Sequence, residues 1–263
     1  MYDFVYAKPG SVADAVKALG ADLDAKALAG GQTFIPVLKQ RLAKPTQIVD
    51  LSSLNLSGIT MEAGKIRIGA MTTHHQIATD ANIQKALPGL AKMASWIGDT
   101  QVRHRGTMGG SLANNDPAAC YPAAALACDA TIITDKRNIK SDDFFLGMFT
   151  TALEPGELIT AVEFPVCEKT NYEKFRNPAS RYAMVGVFVA KGPSGVRVAI
   201  NGAGQGGVFR HKAMEEKLAA NWSADAIKDL QTPPDDLNSD IHASAEYRAH
   251  LIGVMARRCI AAA

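Results

Sequence analysis

Residues 102–117 read Val-Arg-His-Arg-Gly-Thr-Met-Gly-Gly-Ser-Leu-Ala-Asn-Asn-Asp-Pro, and this polar segment lies between two apolar parts of the chain. Its glycines let the backbone approach a ligand closely, while its hydroxyl, amide and carboxylate groups can form hydrogen bonds. We predict a loop that ends at Asp116-Pro117, where a capping carboxylate and a first-turn proline indicate the start of a helix. The positive end of that helix would face the loop and favour an anion.

A second glycine pair, Gly30-Gly31, also precedes an apolar helical pattern, which here covers residues 34–42. Two helix N-termini could therefore converge on one pyrophosphate group. Each pair taken alone is more often a plain turn between a strand and a helix. Neither pair matches the dinucleotide motif G-x-G-x-x-G or the phosphate loop G-x-x-x-x-G-K-[ST], which argues against both of those folds.

The composition is that of a globular protein with two domains or one divided domain, because 263 residues exceed the usual size of one domain. A hydrophobic fraction of 47% and a charged fraction of 21% are compatible with a sizeable buried core. The net charge of +2, without any long basic run, argues against nucleic acid binding.

The sequence predicts no transmembrane segment, because Pro122 and Asp129 interrupt the longest apolar stretch, residues 118–133. The N-terminus lacks the pattern of a secretory signal, so we expect a cytoplasmic protein. The four cysteines show no C-x-x-C spacing, which predicts reduced core residues and no iron–sulfur cluster in this chain. No metal site is expected either, because the adjacent His74 and His75 lack a third ligand at suitable spacing.

Two units are predicted before residue 166. The first, residues 1–54, alternates strands and helices as a βαβαβ unit and includes a helix over residues 11–19. The second, residues 55–165, combines helices with alternating or β-branched strand patterns. From residue 166 to residue 263, three strand-like runs followed by helices predict a three-stranded antiparallel sheet covered by helices.

Together these motifs resemble the FAD-binding subunit of the molybdenum hydroxylases, the family that includes the carbon monoxide dehydrogenase medium subunit and the flavin domain of xanthine dehydrogenase. The resemblance runs from Phe4 to Arg258. It is carried by Leu28-Ala29-Gly30-Gly31-Gln32-Thr33, Gly69-Ala70-Met71-Thr72-Thr73-His74, Arg105-Gly106-Thr107-Met108-Gly109-Gly110-Ser111, Asn115-Asp116-Pro117, Glu154-Pro155-Gly156-Glu157-Leu158, Ala179-Ser180-Arg181-Tyr182-Ala183 and Glu246-Tyr247-Arg248.

The resemblance implies an α+β fold. Residues 1–165 would form a two-subdomain FAD-binding domain of the vanillyl-alcohol-oxidase-like (PCMH) type, divided near residue 54. Residues 166–263 would form a C-terminal flavoprotein domain that contains the three-stranded antiparallel sheet.

The resemblance also implies FAD as the cofactor, with its pyrophosphate held between the two glycine segments. Asp116 and Leu158 are expected near the ribityl chain and the ring. The candidate cofactor contacts are Ala29, Gly30, Gly31, Gln32, Thr33, Phe34, Thr107, Gly109, Gly110, Ser111, Asn114, Asp116, Cys120, Leu158, Arg176 and Tyr182.

Tyr182 is the candidate catalytic residue, because a tyrosine in the equivalent stretch of relatives lies close to the flavin ring. We expect it to cover the isoalloxazine face and to limit which acceptor reaches the ring. Arg176 stands where some relatives place a lysine near the ring, and it could stabilise negative charge on the reduced flavin.

Two residues depart from the family pattern. Cys120 stands where many relatives carry an aspartate that bonds the ribityl chain, and Ser111 replaces a frequent asparagine. Either Asp116 or backbone groups replace the missing carboxylate contact, or the flavin is held less tightly.

The function implied by the resemblance is electron transfer. A partner with two [2Fe-2S] clusters would pass electrons from a molybdopterin-containing large subunit to this flavin, and the flavin would pass them to an external acceptor. A dimer of heterotrimers is the expected assembly. Two alternatives stay open: a stand-alone NAD(P)H-dependent flavin reductase of the same fold superfamily, and a binding module without cofactor. The substrate and the acceptor are not encoded in any motif of this chain.

Overall fold

In the computed structural model, which describes residues 1–263, the chain begins with a small α/β unit. Its elements are β1 (Val5–Ala7), α1 (Val12–Gly20), β2 (Lys26–Leu28), α2 (Phe34–Lys39) and β3 (Gln47–Asp50). The three strands form a sheet in the order β1-β3-β2 with parallel neighbours, which confirms the predicted βαβαβ unit. The Ser11 hydroxyl accepts a hydrogen bond from the Asp14 N–H at 3.1 Å and caps α1, which lies where the sequence predicts a helix.

The second unit is built on a five-stranded antiparallel sheet. Its elements are β4 (Ile59–Glu62), β5 (Lys65–Gly69), α3 (His74–Thr79), α4 (Ala81–Ala86), α5 (Pro88–Ser95), α6 (Thr100–Arg105), α7 (Met108–Asn114), α8 (Tyr121–Ala127), β6 (Thr131–Thr134), β7 (Asn138–Lys140), α9 (Ser141–Phe144), β8 (Phe145–Gly147), β9 (Thr150–Thr151) and β10 (Ile159–Pro165). The sheet order is β4-β5-β10-β6-β7, and β8 and β9 form a separate hairpin. The strand β10 lies between β5 and β6 in this sheet. The sheet is therefore complete only once the chain has reached residue 165.

The third unit contains β11 (Lys169–Arg176), β12 (Ala183–Gly192), β13 (Gly195–Gly204), β14 (Gly207–Arg210), α10 (Lys212–Ala220) and α11 (Ala245–Ala261). The expected antiparallel sheet with helices is present, but it has four strands in the order β11-β12-β13-β14 instead of three. The strand β14 has only four residues, and its pairing with β13 shifts in register, so no alternating pattern marks it in the sequence.

Both faces of the C-terminal sheet are buried, which explains the continuous apolar run of β12. Val185, Val187 and Val189 pack with residues of α10 and α11. Phe188 and Ala190 point to the other face and join the core that also contains α8. The C-terminal sheet therefore shares a core with the second unit, since strand side chains alternate between the two faces.

The polar segment over residues 102–117 is not a loop along its whole length, contrary to the prediction. Residues 100–105 form α6, which Asp99 caps by accepting a hydrogen bond from the Val102 N–H. Residues 108–114 form α7, capped by Thr107. Glycine-rich composition disfavours helix by propensity, but packing of Met108 and Leu112 into the core overrides that preference here.

Candidate functional site

A cavity of about 630 Å³ opens where the three units meet. This volume lies in the range of small-molecule and cofactor sites. All of the candidate contacts except Arg176 line it, namely Ala29, Gly30, Gly31, Gln32, Thr33, Phe34, Thr107, Gly109, Gly110, Ser111, Asn114, Asp116, Cys120, Leu158 and Tyr182. The tertiary structure therefore collects residues that are more than 150 positions apart in the sequence at one site.

The two glycine segments lie against each other at this cavity. A Cβ atom at Gly30 would overlap the carbonyl oxygen of Arg105, and a Cβ atom at Gly110 would lie 3.4 Å from the Cβ of Ala29. Gly31 has a φ of +74°, in the left-handed region that glycine adopts without strain. The two glycine segments are therefore adjacent, and the glycines make this possible because no side chain separates the two backbones.

The first segment leaves a row of hydrogen-bond donors free. The backbone N–H groups of residues 30–34 donate to no protein acceptor, although the next groups, from Ile35 onward, enter the hydrogen bonds of α2. Successive free N–H groups beside a helix start form a concave, positively polarised surface that suits a phosphate or diphosphate group.

The second segment differs, because most of its backbone donors are already used. The N–H groups of Met108 and Gly109 donate to the carbonyl oxygens of Thr72 and Ala70. The Gly110 N–H donates to the Thr107 hydroxyl at 3.2 Å, and the Ser111 N–H donates to the Thr107 carbonyl oxygen. Only the first helix start therefore offers a row of free N–H groups, and the second segment contributes chiefly through hydroxyl groups and close packing.

Asp116 does not cap the following helix, which corrects the sequence prediction. Its carboxylate accepts a hydrogen bond from the Ala118 N–H at 2.8 Å within a turn, and α8 begins later, at Tyr121. Cys120 stands at the N-cap of α8 without a side-chain capping bond. The short turn places both Asp116 and Cys120 on the cavity wall.

Arg176 lies outside the cavity. Its guanidinium group lies over the ring of Trp96, 4.4 Å from the ring centroid, where it makes a cation–π contact. The pairing of β11 with β12 shifts in register between Phe175 and Arg176, and such a shift redirects a side chain. The basic residue of β11 that lines the cavity is Lys174 instead, together with Lys26 and Arg181 from other parts of the chain, and the sequence did not predict Lys174 there.

Lys174 is buried, with 7% of its surface exposed. Its Nζ donates to the carbonyl oxygen of Trp96 at 2.9 Å and lies 3.6 Å from the Sγ of Cys120. The available signal was that strand alternation places Lys174 on the same face of β11 as the buried Tyr172, but a lysine is normally expected to reach solvent.

Tyr182 stands at the edge of the cavity and is 56% exposed. Its carbonyl oxygen accepts a hydrogen bond from the Asn177 N–H at 2.8 Å, which closes the loop over residues 177–182. Burial of the phenol, followed by the nearby Asp116 carboxylate, raises the pKa of Tyr182 above its usual value. The phenol therefore stays neutral near pH 7 and remains able to donate a hydrogen bond.

His74 also lines the cavity and lies at a helix start. It is the first residue of α3, which Thr73 and Gln76 cap, and its Nδ1 lies 3.1 Å from the Tyr121 hydroxyl. Burial, with a smaller contribution from Arg103, lowers the pKa of His74 to about 4. A neutral imidazole thus packs behind Gly106. No three His, Cys, Asp or Glu side chains form a group that could hold a metal ion.

Glu157 also lines the cavity, and each of its two carboxylate oxygens already accepts two hydrogen bonds. It accepts hydrogen bonds from the Thr134 hydroxyl, the Arg137 guanidinium and the Glu154 N–H, at distances between 2.7 and 3.0 Å. Burial alone would raise the pKa of Glu157, but the hydrogen bonds from Arg137 and its other donors outweigh that effect and lower it to about 2. Its place beside Leu158 indicates a structural carboxylate that holds the strand β10 at the cavity.

The fold and the cavity define a class of protein that can bind a small-molecule ligand or cofactor where its three units meet, and comparisons with known proteins identify the family. Residues 2–167 match the family model described as the FAD binding domain in molybdopterin dehydrogenase, and the chain belongs to this family. FAD is its cofactor, and the protein is the flavoprotein subunit of an oxidoreductase complex.

Among curated proteins, the nicotine 6-hydroxylase medium subunit of Paenarthrobacter nicotinovorans is 35% identical over 274 residues, which cover 97% of this chain and 95% of the relative. The glyceraldehyde dehydrogenase medium chain of Sulfolobus acidocaldarius is 34% identical over 272 residues, which cover 96% and 95%. A solved structure of carbon monoxide dehydrogenase from Hydrogenophaga pseudoflava aligns with a TM-score of 0.87 at 33% identity and covers 99% of this chain and 96% of that chain.

The cavity fits this cofactor. The free N–H groups of residues 30–34 suit its diphosphate, and the volume suits a ligand of its class. The expected α+β fold is confirmed by these relatives. None of the helices is both long enough and apolar enough to cross a membrane.

Proposed function

We propose that this chain relays electrons from the [2Fe-2S] clusters of a partner subunit to an external acceptor through bound FAD. The names medium subunit and medium chain, carried by its relatives, support a place in a complex of several subunits. In this proposal a molybdopterin-containing large subunit oxidises the substrate, and the complex is a dimer of heterotrimers. The cytoplasmic location expected from the sequence stays a prediction.

The free donor row at residues 30–34 is the observation that carries this proposal. A diphosphate placed against it would accept hydrogen bonds from Gly30, Gly31, Gln32 and Thr33. The hydroxyl groups of Thr107 and Ser111 would complete the site from the facing segment, because both lie on the cavity wall. In this arrangement Gly109 and Gly110 act by keeping the two segments close.

The remaining cavity residues suit the ribityl chain and the ring. Asp116 and Leu158 lie on the wall, and Tyr182 stands at the edge, where its ring can cover one face of the isoalloxazine. FAD supplies the redox chemistry when bound, because its ring can accept electrons from iron–sulfur clusters and release them to a different acceptor. The protein's own task is to hold the ring in place and to limit access to it.

One preparation tests this function against its alternatives. The complex is purified through a tag on this chain, and its visible spectrum, iron, molybdenum and subunit composition are measured. The proposal expects a flavin spectrum together with an iron–sulfur subunit and a molybdenum subunit. A colourless preparation would instead support a cofactor-free binding module, and NAD(P)H oxidation by the isolated chain would support a stand-alone flavin reductase.

A further inference from the structure

A second cleft, of about 330 Å³, adjoins the cavity described above. Asp116 and Tyr182 line both spaces, so a single layer of side chains separates them. The proposed function places the flavin ring beside Tyr182 and leaves this cleft without a ligand. A molecule in the cleft would be separated from the flavin by one side chain, which is close enough for electrons to pass between the two.

The size of the cleft excludes a second dinucleotide. The cavity proposed for FAD has a volume of about 630 Å³, and the cleft has about half of that volume. A nicotinamide dinucleotide contains two nucleotides, as FAD does, and needs a site of similar size. The cleft lies at the lower end of the range for small-molecule sites, which suits a ligand with one or two rings.

The charges on the cleft wall disfavour a phosphate-bearing ligand. Arg248 is buried and already paired, because it donates to the Asp240 carboxylate at 2.7 Å and to two backbone carbonyl oxygens. Asp116 adds a second carboxylate to the wall. His242 is the only other basic residue there, and its imidazole, when charged, would do no more than offset Asp116. The cleft therefore favours an uncharged ligand.

The other groups on the wall suit an aromatic ring that carries carbonyl oxygens. Phe149 and Tyr182 are 57% and 56% exposed, so both present aromatic surface on which a planar ring can stack. The Asn177 Oδ1 accepts hydrogen bonds from the N–H groups of residues 179 and 180, at 2.9 and 3.1 Å. Its Nδ2 donates to no protein acceptor, which leaves an amide N–H available for a carbonyl oxygen.

We propose that this cleft binds the ring of a quinone, and that the quinone is the external acceptor of the complex. This inference rests on the proposed function and names the chemical class of the acceptor. In the transfer, two electrons pass from the reduced flavin to the quinone. The quinone takes up two protons from water and leaves as the hydroquinone, while the flavin ring releases its protons to water and returns to the oxidised form.

The test uses the full chain loaded with FAD and menadione, a quinone with two fused rings. Equilibrium dialysis measures menadione binding to the oxidised protein. Anaerobic mixing of the dithionite-reduced protein with menadione or NAD⁺ measures reoxidation through the visible flavin absorbance. We expect menadione to bind with a saturable curve and to reoxidise the flavin at a rate that also saturates, and we expect NAD⁺ to leave the flavin reduced.

Phe149→Ala should weaken menadione binding about tenfold, because the stacking surface is lost, while the FAD content stays the same. Phe149→Tyr keeps an aromatic ring and should retain binding. Leu146→Ala is the matched control, since Leu146 lies on the same hairpin and is 63% exposed but does not line the cleft. If thermal unfolding shows that Phe149→Ala is misfolded, Phe149→Gly replaces it, because the φ of +54° at residue 149 suits glycine.

Two results would overturn this inference alone, in a chain that holds its FAD. One is menadione binding that Phe149→Ala changes no more than Leu146→Ala does. The other is a reduced flavin that NAD⁺ reoxidises and menadione does not. An unmodified chain that binds no FAD would overturn the proposed function and this inference with it.

Discussion

Gly30 packs directly on the main chain at Arg105. A Cβ atom at residue 30 would overlap the Arg105 carbonyl oxygen and would lie 2.9 Å from the Cα of Gly106. This contact joins the turn before α2 to the end of α6. Glycine is required at residue 30 because two protein segments touch there, and the contact brings the free N–H groups of residues 30–34 to the facing segment.

Gly30→Ala should remove most of the bound FAD, since the added methyl group must push the two segments apart. Forced overpacking of this kind also costs stability, about 1–3 kcal/mol. The flavin-to-protein absorbance ratio and urea unfolding measure the two effects. Gly10→Ala is the control, because a Cβ atom at Gly10 meets nothing within 4 Å. A Gly30→Ala protein with a full complement of FAD would contradict the proposed diphosphate site.

Tyr182→Ala should leave FAD bound and open the ring to small acceptors. The side chain is 56% exposed at the edge of the cavity, so its loss removes little core packing. The expected result is a several-fold faster reduction of ferricyanide by the reduced complex at an unchanged FAD content. Tyr2→Ala, at a 41% exposed tyrosine that does not line the cavity, is the control. An unchanged ferricyanide rate would show that Tyr182 does not shield the ring.

Arg197→Met should loosen the attachment of the C-terminal sheet. Arg197 on β13 is buried and forms salt bridges with Asp129 and Asp142, both of which belong to the second unit. Its loss removes the buried ion pair of each carboxylate, although Asp142 keeps Arg210 at 3.1 Å and Asp129 keeps Lys140 at 3.9 Å. We expect a loss of about 2 kcal/mol in the free energy of unfolding.

Urea unfolding measures this loss. Lys191→Met is the matched control, since Lys191 pairs with Glu168 on the surface, where an ion pair contributes about 0–1 kcal/mol. Equal effects of the two substitutions would show that Arg197 does not join the units.

Glu157→Gln should lower stability at neutral pH and remove part of its dependence on pH. The pKa of Glu157 is lowered to about 2 from an ordinary value of 4.5, so its charged form is favoured by folding. The stabilisation is fully present above about pH 4.5 and is lost as the pH falls toward 2. The difference in unfolding free energy between the unmodified protein and Glu157→Gln should therefore shrink over that window in urea unfolding curves. A constant difference from pH 3 to pH 7 would contradict this account.

The sequence patterns predicted much of the local structure. The helix predicted over residues 11–19 is present as α1, and the βαβαβ unit has its predicted order, because both depend on contacts between residues close in the chain. Residues 102–117 were harder to predict, since their glycine content indicates a loop and only the burial of Met108 and Leu112 makes part of them helical. The strand β14 was missed for a similar reason, because its partner β13 decides its conformation.

At the candidate site, too, some residues could be predicted from the sequence and others depend on tertiary contacts. The motifs predicted that the glycine segments, Tyr182 and Arg176 belong to one site. The glycine segments and Tyr182 line the cavity, whereas on β11 Lys174 lines it instead of Arg176. Both residues are basic and lie on one strand, so no local pattern separates them. The register shift after Phe175 and the stacking of Arg176 on Trp96 decide which of them reaches the cavity.

The amino-acid sequence by itself determined which residues can turn, cap and donate: the glycine pairs, the capping hydroxyls and the apolar patterns of the helices and strands. The tertiary structure decided which of those groups remain available. In the folded chain the N–H groups of residues 108–111 form internal hydrogen bonds, and those of residues 30–34 stay free. Lys174 is buried without a carboxylate as its salt-bridge partner. The reason is that hydrogen-bond satisfaction and charge compensation depend on neighbours distant in the chain, and only packing brings them into contact.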